Sequence, residues 1–233
     1  MFLPLYLAMT PSEIGVASAL PPKMGWLACH FSSAHRGLSN LPTALPAGSM
    51  VVLDDWIAFD DHDFLRIQED LEKVVSGFDC SGVLLDFQRS ETPEVANLCR
   101  QLTEHLPCPV GVPERYAKNL SCPVFLSLPD LHTPLKDCID RWPGREIWLE
   151  AAIGAELATI TEEGCSMESC ELEKLPDPWH KDDALHCRYH WYQEGDRVKF
   201  LLHRTWEDLQ ELLEEAASLG VARAIGLYQQ LHK

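Results

Sequence analysis

The stretch Ser81-Gly-Val-Leu-Leu-Asp-Phe-Gln-Arg89 decides the fold of this chain. A short apolar run without polar alternation predicts a strand that is buried on both faces, as in a parallel sheet covered by helices. Polar side chains occur only where this strand would end, at Asp86, Gln88 and Arg89. Ligands of α/β barrels and open parallel sheets bind at the carboxyl ends of the strands. The segment therefore predicts both a parallel α/β architecture and the edge of a binding site.

Seven more apolar runs of this kind occur along the chain, and helical patterns lie between some of them. The eight candidate strands are residues 2–7, 26–31, 50–53, 83–87, 110–112, 124–126, 147–149 and 222–227. Helical spacing of apolar residues predicts helices over 63–77, 92–105 and 205–219. Strands that alternate with helices indicate right-handed βαβ units and a parallel sheet. Weak helical patterns in the remaining connections predict that several outer helices are short or missing.

Residues 158–198 differ from the rest of the chain. They hold three of the nine cysteines, an acidic run, and two alternating segments around Glu194-Gly195-Asp196 that indicate a hairpin. We interpret this region as an antiparallel insertion before the last strand. The sequence thus predicts a TIM-barrel-like parallel β/α barrel with reduced outer helices, forming one domain over residues 1–233 with 158–198 as an insertion subdomain.

Composition restricts the partners and the compartment. The net charge of −17 argues against nucleic acid and anionic membranes, because binding to either requires Lys and Arg to neutralise phosphates. No apolar run approaches the length of a membrane-spanning helix, and the N-terminus resembles a first strand more than a signal peptide. Nine cysteines without paired spacing favour reduced thiols and a cytoplasmic location. The strand-end carboxylates and the motif described below favour a small-molecule or oligosaccharide ligand, and the oligomeric state stays open.

Carboxylates follow several of the predicted strands. Asp86 and Gln88 are two residues apart, so on a strand both side chains point to one face, which in a barrel is the lumen. The simpler alternative is that Asp86 caps the following loop. Glycosidases need two carboxyl groups about 5–9.5 Å apart. The other carboxylates at strand ends are Asp54, Asp55, Glu114, Asp130 and Glu150.

The motif around Asp86 resembles the fourth-strand signature of family-18 glycoside hydrolases, the chitinase-like TIM barrels, written D-G-x-D-x-D-x-E. Gly82 matches the glycine and Asp86 the last aspartate, whereas Ser81 and Leu84 replace the first two aspartates. Gln88 stands where the catalytic glutamate would be. The insertion before the last strand is also similar to one found in many of these enzymes. The resemblance implies a glycoside hydrolase-like barrel in which the family's chemistry on this strand is lost or has moved, because an amide cannot titrate.

These observations give a hypothesis for the site at the C-terminal mouth of the barrel. Asp86 orients or stabilises the substrate, and Glu150 or Glu114 acts as the acid/base. The predicted substrate-binding residues are Asp54, Asp55, Trp56, Gln88, Arg89, Tyr116 and Tyr228. The three aromatic side chains suit stacking on a sugar, although each taken alone is more typical of core or rim packing.

The sequence leaves open whether the chain is catalytic. Gln88 favours the alternative of a non-catalytic carbohydrate-binding or structural barrel. A second alternative is a metal-dependent hydrolase or lyase that uses Asp54 and Asp55, since oxygen ligands suit Mg²⁺ or Ca²⁺. The nearby run from Asp60 to Asp63 is more typical of a helix N-terminus than of a metal site. The Cys and His residues of the insertion do not have zinc-finger spacing, and no cofactor motif occurs, so neither a metal nor a cofactor is predicted.

Overall fold

Eight parallel strands close into a barrel. The computed structural model describes residues 3–59, 62–127, 133–172 and 174–232. Its barrel closes because the first strand pairs with both the second and the last. The barrel strands are β1 (Leu5–Met9), β2 (Met24–Phe31), β4 (Met50–Asp54), β5 (Gly82–Asp86), β6 (Val110–Pro113), β7 (Val124–Leu126), β8 (Ile147–Glu150) and β14 (Arg223–Leu227), and a short β3 (Leu38–Ser39) pairs antiparallel with the end of β2. The predicted TIM-barrel-like fold is confirmed.

The three long helices are those that the sequence predicts, and the others have four to six residues. In the long ones, a side chain at the N-cap position accepts hydrogen bonds from the first turn, which fixes where the helix begins. Thr10 starts a short helix in a connection that lacks a strong helical pattern. The helices are α1 (Pro11–Val16), α2 (Phe64–Gly77), α3 (Pro93–His105), α4 (Glu114–Ala117), α5 (Leu135–Asp140), α6 (Trp206–Ser218) and α7 (Tyr228–Leu231). The outer layer of the barrel is therefore thin.

An antiparallel sheet of five strands lies between β8 and α6. Its strands are β9 (Gly154–Thr161), β10 (Gly164–Cys170), β11 (His180–Asp182), β12 (Cys187–Glu194) and β13 (Arg197–Arg204), in the order β10-β9-β13-β12-β11. The sheet begins before residue 158 and continues beyond residue 198. It has a small core of its own around Ala158, Cys187 and Leu202. The predicted hairpin corresponds to β12 and β13.

Side chains fill the lumen of the barrel and determine what lies at its mouth. The lumen cluster consists of Tyr6, Ala8, Met50, Val52, Leu84, Phe125, Trp148 and Ile225. Since alternate residues of a strand share a face, Val52 and Leu84 below imply that Asp54 and Asp86 above them also turn toward the lumen. The barrel is thus a packed core with carboxylates at its C-terminal end.

Two further observations concern the cysteines and the question of a membrane-spanning helix. The nine cysteines all belong to the described residues; they form no disulfide bonds, and most of them are buried. Among the described residues, no helix combines the length and the apolar character needed to cross a membrane.

Candidate functional site

Three polar side chains stand side by side at the ends of neighbouring barrel strands. In the strand register, His30 of β2 lies next to Asp54 of β4, which lies next to Asp86 of β5. This row forms the floor of an open groove of about 670 Å³, here called the mouth groove. The mouth groove is lined by Leu27, His30, Asp54, Asp55, Trp56, Asp86, Gln88, Arg89 and Leu227.

Asp86 and Gln88 are in direct contact. The Gln88 Nε2 donates a hydrogen bond to Asp86 Oδ1 at 2.5 Å. Gln88 is otherwise exposed, whereas Asp86 is partly buried at the strand end. The amide therefore fixes the carboxylate from the side of the groove.

Asp55 holds the backbone that carries Gln88. Asp55 is only 4% exposed, and its two carboxylate oxygens accept hydrogen bonds from the backbone N–H groups of Gln88 and Arg89, both at 2.8 Å. In return, the Arg89 guanidinium donates to the backbone carbonyls of Asp55 at 2.7 Å and Trp56 at 2.6 Å. This exchange ties the loop after β5 to the loop after β4. The geometry gives Asp55 a positioning role in the mouth groove.

The environment of the row raises the pKa of its two carboxyl groups. Burial raises the pKa of Asp86 above its ordinary value, the neighbouring charges of Asp54 and Asp55 raise it further, and the Gln88 amide opposes the shift. Burial also raises the pKa of Asp54, although the backbone N–H of Trp56 and the adjacent His30 act in the opposite direction. Carboxyl groups with a raised pKa are the kind that serve as general acids.

Glu150 and Asp86 line the same small cavity. This cavity of about 50 Å³ lies at the top of the lumen, and Gln230 of α7 also lines it. Glu150 further borders a pocket of about 420 Å³ that it shares with residues of the insertion sheet, among them Glu156 and Arg204. The structure therefore brings these two predicted residues to one cavity at the mouth.

Three predicted residues lie elsewhere. Glu114 Oε1 accepts a hydrogen bond from the indole Nε1 of Trp142 at 2.8 Å, and Glu114 lines a different pocket. Tyr116 is only 6% exposed and packs edge-on against Phe87 in the core. Tyr228 begins α7, where its ring stacks on His232 with the ring centroids 4.4 Å apart. None of the three lines the mouth groove or the small cavity that Asp86 shares with Glu150.

Trp56 is the aromatic side chain that the structure places at the mouth groove. Its side chain is 81% exposed, and Arg89 binds its backbone carbonyl. His30 and Gln230 are site residues that sequence reasoning missed. His30 is the penultimate residue of β2 and lies beside Asp54, so its position near a strand end was a usable signal. Gln230 belongs to a helix that is too short to have a pattern.

The described side chains support a metal site less than they support a ligand-binding groove. In the part of the chain that is described, no three His, Cys, Asp or Glu side chains converge as they would around a metal ion. Both oxygens of Asp55 already hold backbone amides. Asp63 caps α2, as the helix N-terminus interpretation predicts. Asp60, Asp61 and Asp130 lie outside the described residues.

Comparison with known proteins identifies solved structures with a similar fold. No protein-family model matches the sequence, and no curated protein matches it. The structure is similar to the spore cortex-lytic enzyme SleL of Bacillus cereus, with a TM-score of 0.57 and 10% identity over 96% of this chain and 70% of that one. It is also similar to a chitinase from Chromobacterium violaceum, with a TM-score of 0.54 and 9% identity over 96% of this chain and 93% of that one. A third similar structure is a GH18 chitinase double mutant from Cycas revoluta in complex with (GlcNAc)4, with a TM-score of 0.51 and 9% identity over 95% and 94%.

The chain has the barrel fold of the family-18 glycoside hydrolases. Its sequence is divergent, with identities of 10% or less to these three proteins. The resemblance that the motif around Asp86 suggests is thus confirmed at the level of the fold.

Proposed function

We propose that this protein binds a carbohydrate in the mouth groove. The observation that carries the proposal is the contact between Gln88 and Asp86 at the carboxyl end of β5. There the resemblance places the catalytic glutamate of the family. The Cycas revoluta chitinase that shares the fold is a mutant with a glutamate replaced by glutamine, and it is in complex with an oligosaccharide.

The lining of the mouth groove suits a sugar chain. The exposed ring of Trp56 offers an amphipathic face on which a sugar can pack, while Asp54, Asp86 and the Gln88 amide oxygen can accept hydrogen bonds from hydroxyl groups. A few convergent polar groups on an apolar wall are typical of small-molecule sites. The carboxylates of the groove disfavour an anionic ligand, so the proposed ligand is a neutral or amino sugar chain.

Gln88 supports binding in preference to turnover. Glycoside hydrolysis requires an acid that protonates the leaving oxygen, and an amide has no proton to give at neutral pH. In the proposal, Gln88 occupies the position of the acid residue and orients Asp86. It also forms hydrogen bonds with the ligand.

The proposal is tested by titrating (GlcNAc)4 and other neutral oligosaccharides into the protein while heat is recorded. We expect saturable binding that Trp56→Ala weakens about tenfold, since loss of a stacked aromatic costs roughly 1–1.5 kcal/mol. The matched control is Trp191→Ala in the insertion sheet, where the side chain is also exposed, at 52%. Lack of binding across the panel, or an equal loss in the Trp191 variant, would refute the proposal.

A second candidate is hydrolysis with a relocated acid. It is favoured by the small cavity that Asp86 and Glu150 share and by the raised pKa of Asp86. In this candidate Glu150 acts as acid/base, and Asp86 orients or stabilises the substrate. Aryl-glycosides and chito-oligosaccharides provide the assay. Glu150→Gln should abolish turnover, whereas Glu114→Gln should leave it intact because Glu114 lines another pocket; the reverse pattern would exclude this arrangement.

A further inference from the structure

A second cavity lies beside α4, and it shares no lining residue with the mouth groove. It has a volume of about 640 Å³ and opens between α4 and the turn that follows α5. These two helices have four and six residues, too few to cover the strands as a full barrel helix would. We call this cavity the flank pocket, which is lined by Glu114, Arg115, Lys118, Arg141, Trp142, Pro143 and Arg145.

The charge of the flank pocket is opposite to that of the chain. The protein has 36 acidic residues against 19 Lys and Arg residues, yet four of those 19 line this one pocket. Among the described residues of the lining, Glu114 is the one carboxylate, and it accepts a hydrogen bond from the Trp142 indole at 2.8 Å. Four cations around one pocket of so acidic a protein create a locally positive electrostatic potential. This potential favours an anionic ligand.

Two of the four cations are anchored and two point to solvent. The Arg145 guanidinium donates to the backbone carbonyl of Cys122 at 3.1 Å, and that of Arg115 donates to the carbonyl of Arg89 at 3.1 Å. Lys118 and Arg141 are exposed, and neither makes a hydrogen bond or ion pair with any described residue. Two guanidinium groups held by backbone carbonyls, beside two exposed cations that have no partner among the described residues, can bind an oxyanion through charge-assisted hydrogen bonds.

An apolar wall accompanies the cations. Trp142 and Pro143 form one side of the flank pocket, and the Arg145 guanidinium carbon lies 5.8 Å from the centroid of the Trp142 ring. The volume is larger than an inorganic ion requires. The lining therefore offers room and an apolar surface for a ring next to the charged group.

We infer that the flank pocket binds a small organic anion, a phosphate or carboxylate group joined to a sugar or other ring. Lys118 and Arg141 contact the charged group, Arg115 and Arg145 supply the fixed positive potential, and the ring packs along Trp142. The inference is independent of the carbohydrate proposed for the mouth groove.

The test is calorimetric titration of the full chain with inorganic phosphate, glucose 6-phosphate and glucuronate, and with glucose as the neutral comparison. We expect glucose 6-phosphate or glucuronate to bind saturably and glucose not to bind at this pocket. Tighter binding of glucose 6-phosphate identifies a phosphate site, and tighter binding of glucuronate identifies a carboxylate site. Inorganic phosphate alone should bind more weakly than the tighter of the two, since it cannot use the apolar wall.

Variants separate a built site from general attraction of anions. The double variant Lys118→Gln/Arg141→Gln should weaken binding of the preferred anion about tenfold or more, while Lys73→Gln/Arg36→Gln removes two exposed cations elsewhere and should leave it unchanged. Arg141→Lys keeps the charge but loses the planar fork, so an intermediate loss is expected. Because Lys118 and Arg141 are exposed, thermal unfolding should be unaltered in each variant. Failure of all three anions to bind saturably, or an equal loss in the control variant, would overturn the inference.

Discussion

At the scale of single residues, Asp86 is the group whose environment should be visible in solution. Its folded-state pKa lies above the ordinary value of 3.8, chiefly because burial penalises the charged form. The folded state therefore holds this proton more tightly than the unfolded state does. The contribution of Asp86 to stability is present at low pH and is lost as the pH rises from 3.8 through the folded-state pKa.

The corresponding prediction concerns Asp86→Asn. Removing the buried charge should stabilise the fold at neutral pH, and the advantage over the unmodified protein should shrink as the pH falls toward 4. The amide oxygen of the new side chain can still accept the Gln88 hydrogen bond, so the geometry is preserved. Urea denaturation at several pH values measures the effect. Asp183→Asn is the control, because that side chain is 91% exposed, and a pH-independent difference for Asp86→Asn would contradict the prediction.

Gln88→Glu tests the chemistry of the same contact. The substitution places a titratable carboxyl group against Asp86 at the mouth groove. Because two neighbouring carboxylates repel each other, the pKa of one of the two is raised. If the groove binds chito-oligosaccharides as proposed, the variant should acquire or increase hydrolysis, with a rate that falls as the new acid loses its proton. Gln193→Glu, in the insertion hairpin, serves as the control. An unchanged rate in a variant that still binds would show that more than this acid is missing.

At the scale of elements, the sequence predicts the strands and helices that show a hydrophobic pattern, and it does not predict helices that are too short to show one. The eight barrel strands and three long helices were predictable because each has a continuous apolar run or a helical stripe. Helices of four to six residues, such as α4 and α5, were not, because such a segment has less than two turns. Period-2 spacing predicts that Asp86 and Gln88 share a face, but it does not predict their hydrogen bond, because Gln88 lies beyond the end of β5. The role of Asp55 could not be predicted, since its partners are backbone amides more than 30 residues away along the chain.

Helix α6 provides the element-scale prediction. Thr205 Oγ1 accepts the backbone N–H of Asp208, and the fully buried Asp208 carboxylate accepts from both the backbone and the hydroxyl of Thr205. Thr205→Ala removes one side of this capping box and leaves Asp208 short of a donor, so we expect a loss of about 1–2 kcal/mol in the free energy of unfolding. Thr92→Ala at the start of α3 is the comparison, because Thr92 makes a single cap bond to Val95 N at 3.3 Å. A larger loss for Thr92→Ala, measured by denaturant unfolding, would contradict this view of α6.

At the scale of the whole molecule, the filled lumen links barrel closure to the mouth groove. Trp148 is fully buried in the lumen, and a Cβ added at Gly111 would lie closer than 3.0 Å to two atoms of its ring. Gly111→Ala should therefore force the indole upward or spread β6 from its neighbours, at a cost of about 1–3 kcal/mol for overpacking. Because Leu84 and Phe125 share this cluster beneath Asp86, ligand binding at the groove should weaken along with stability. Gly77→Ala is the matched control, since a Cβ there meets no atom within 4 Å and an alanine at the end of α2 should be neutral or slightly stabilising. If Gly111→Ala unfolds at the same denaturant concentration as the unmodified protein, the lumen is less tightly packed than the position of Trp148 requires.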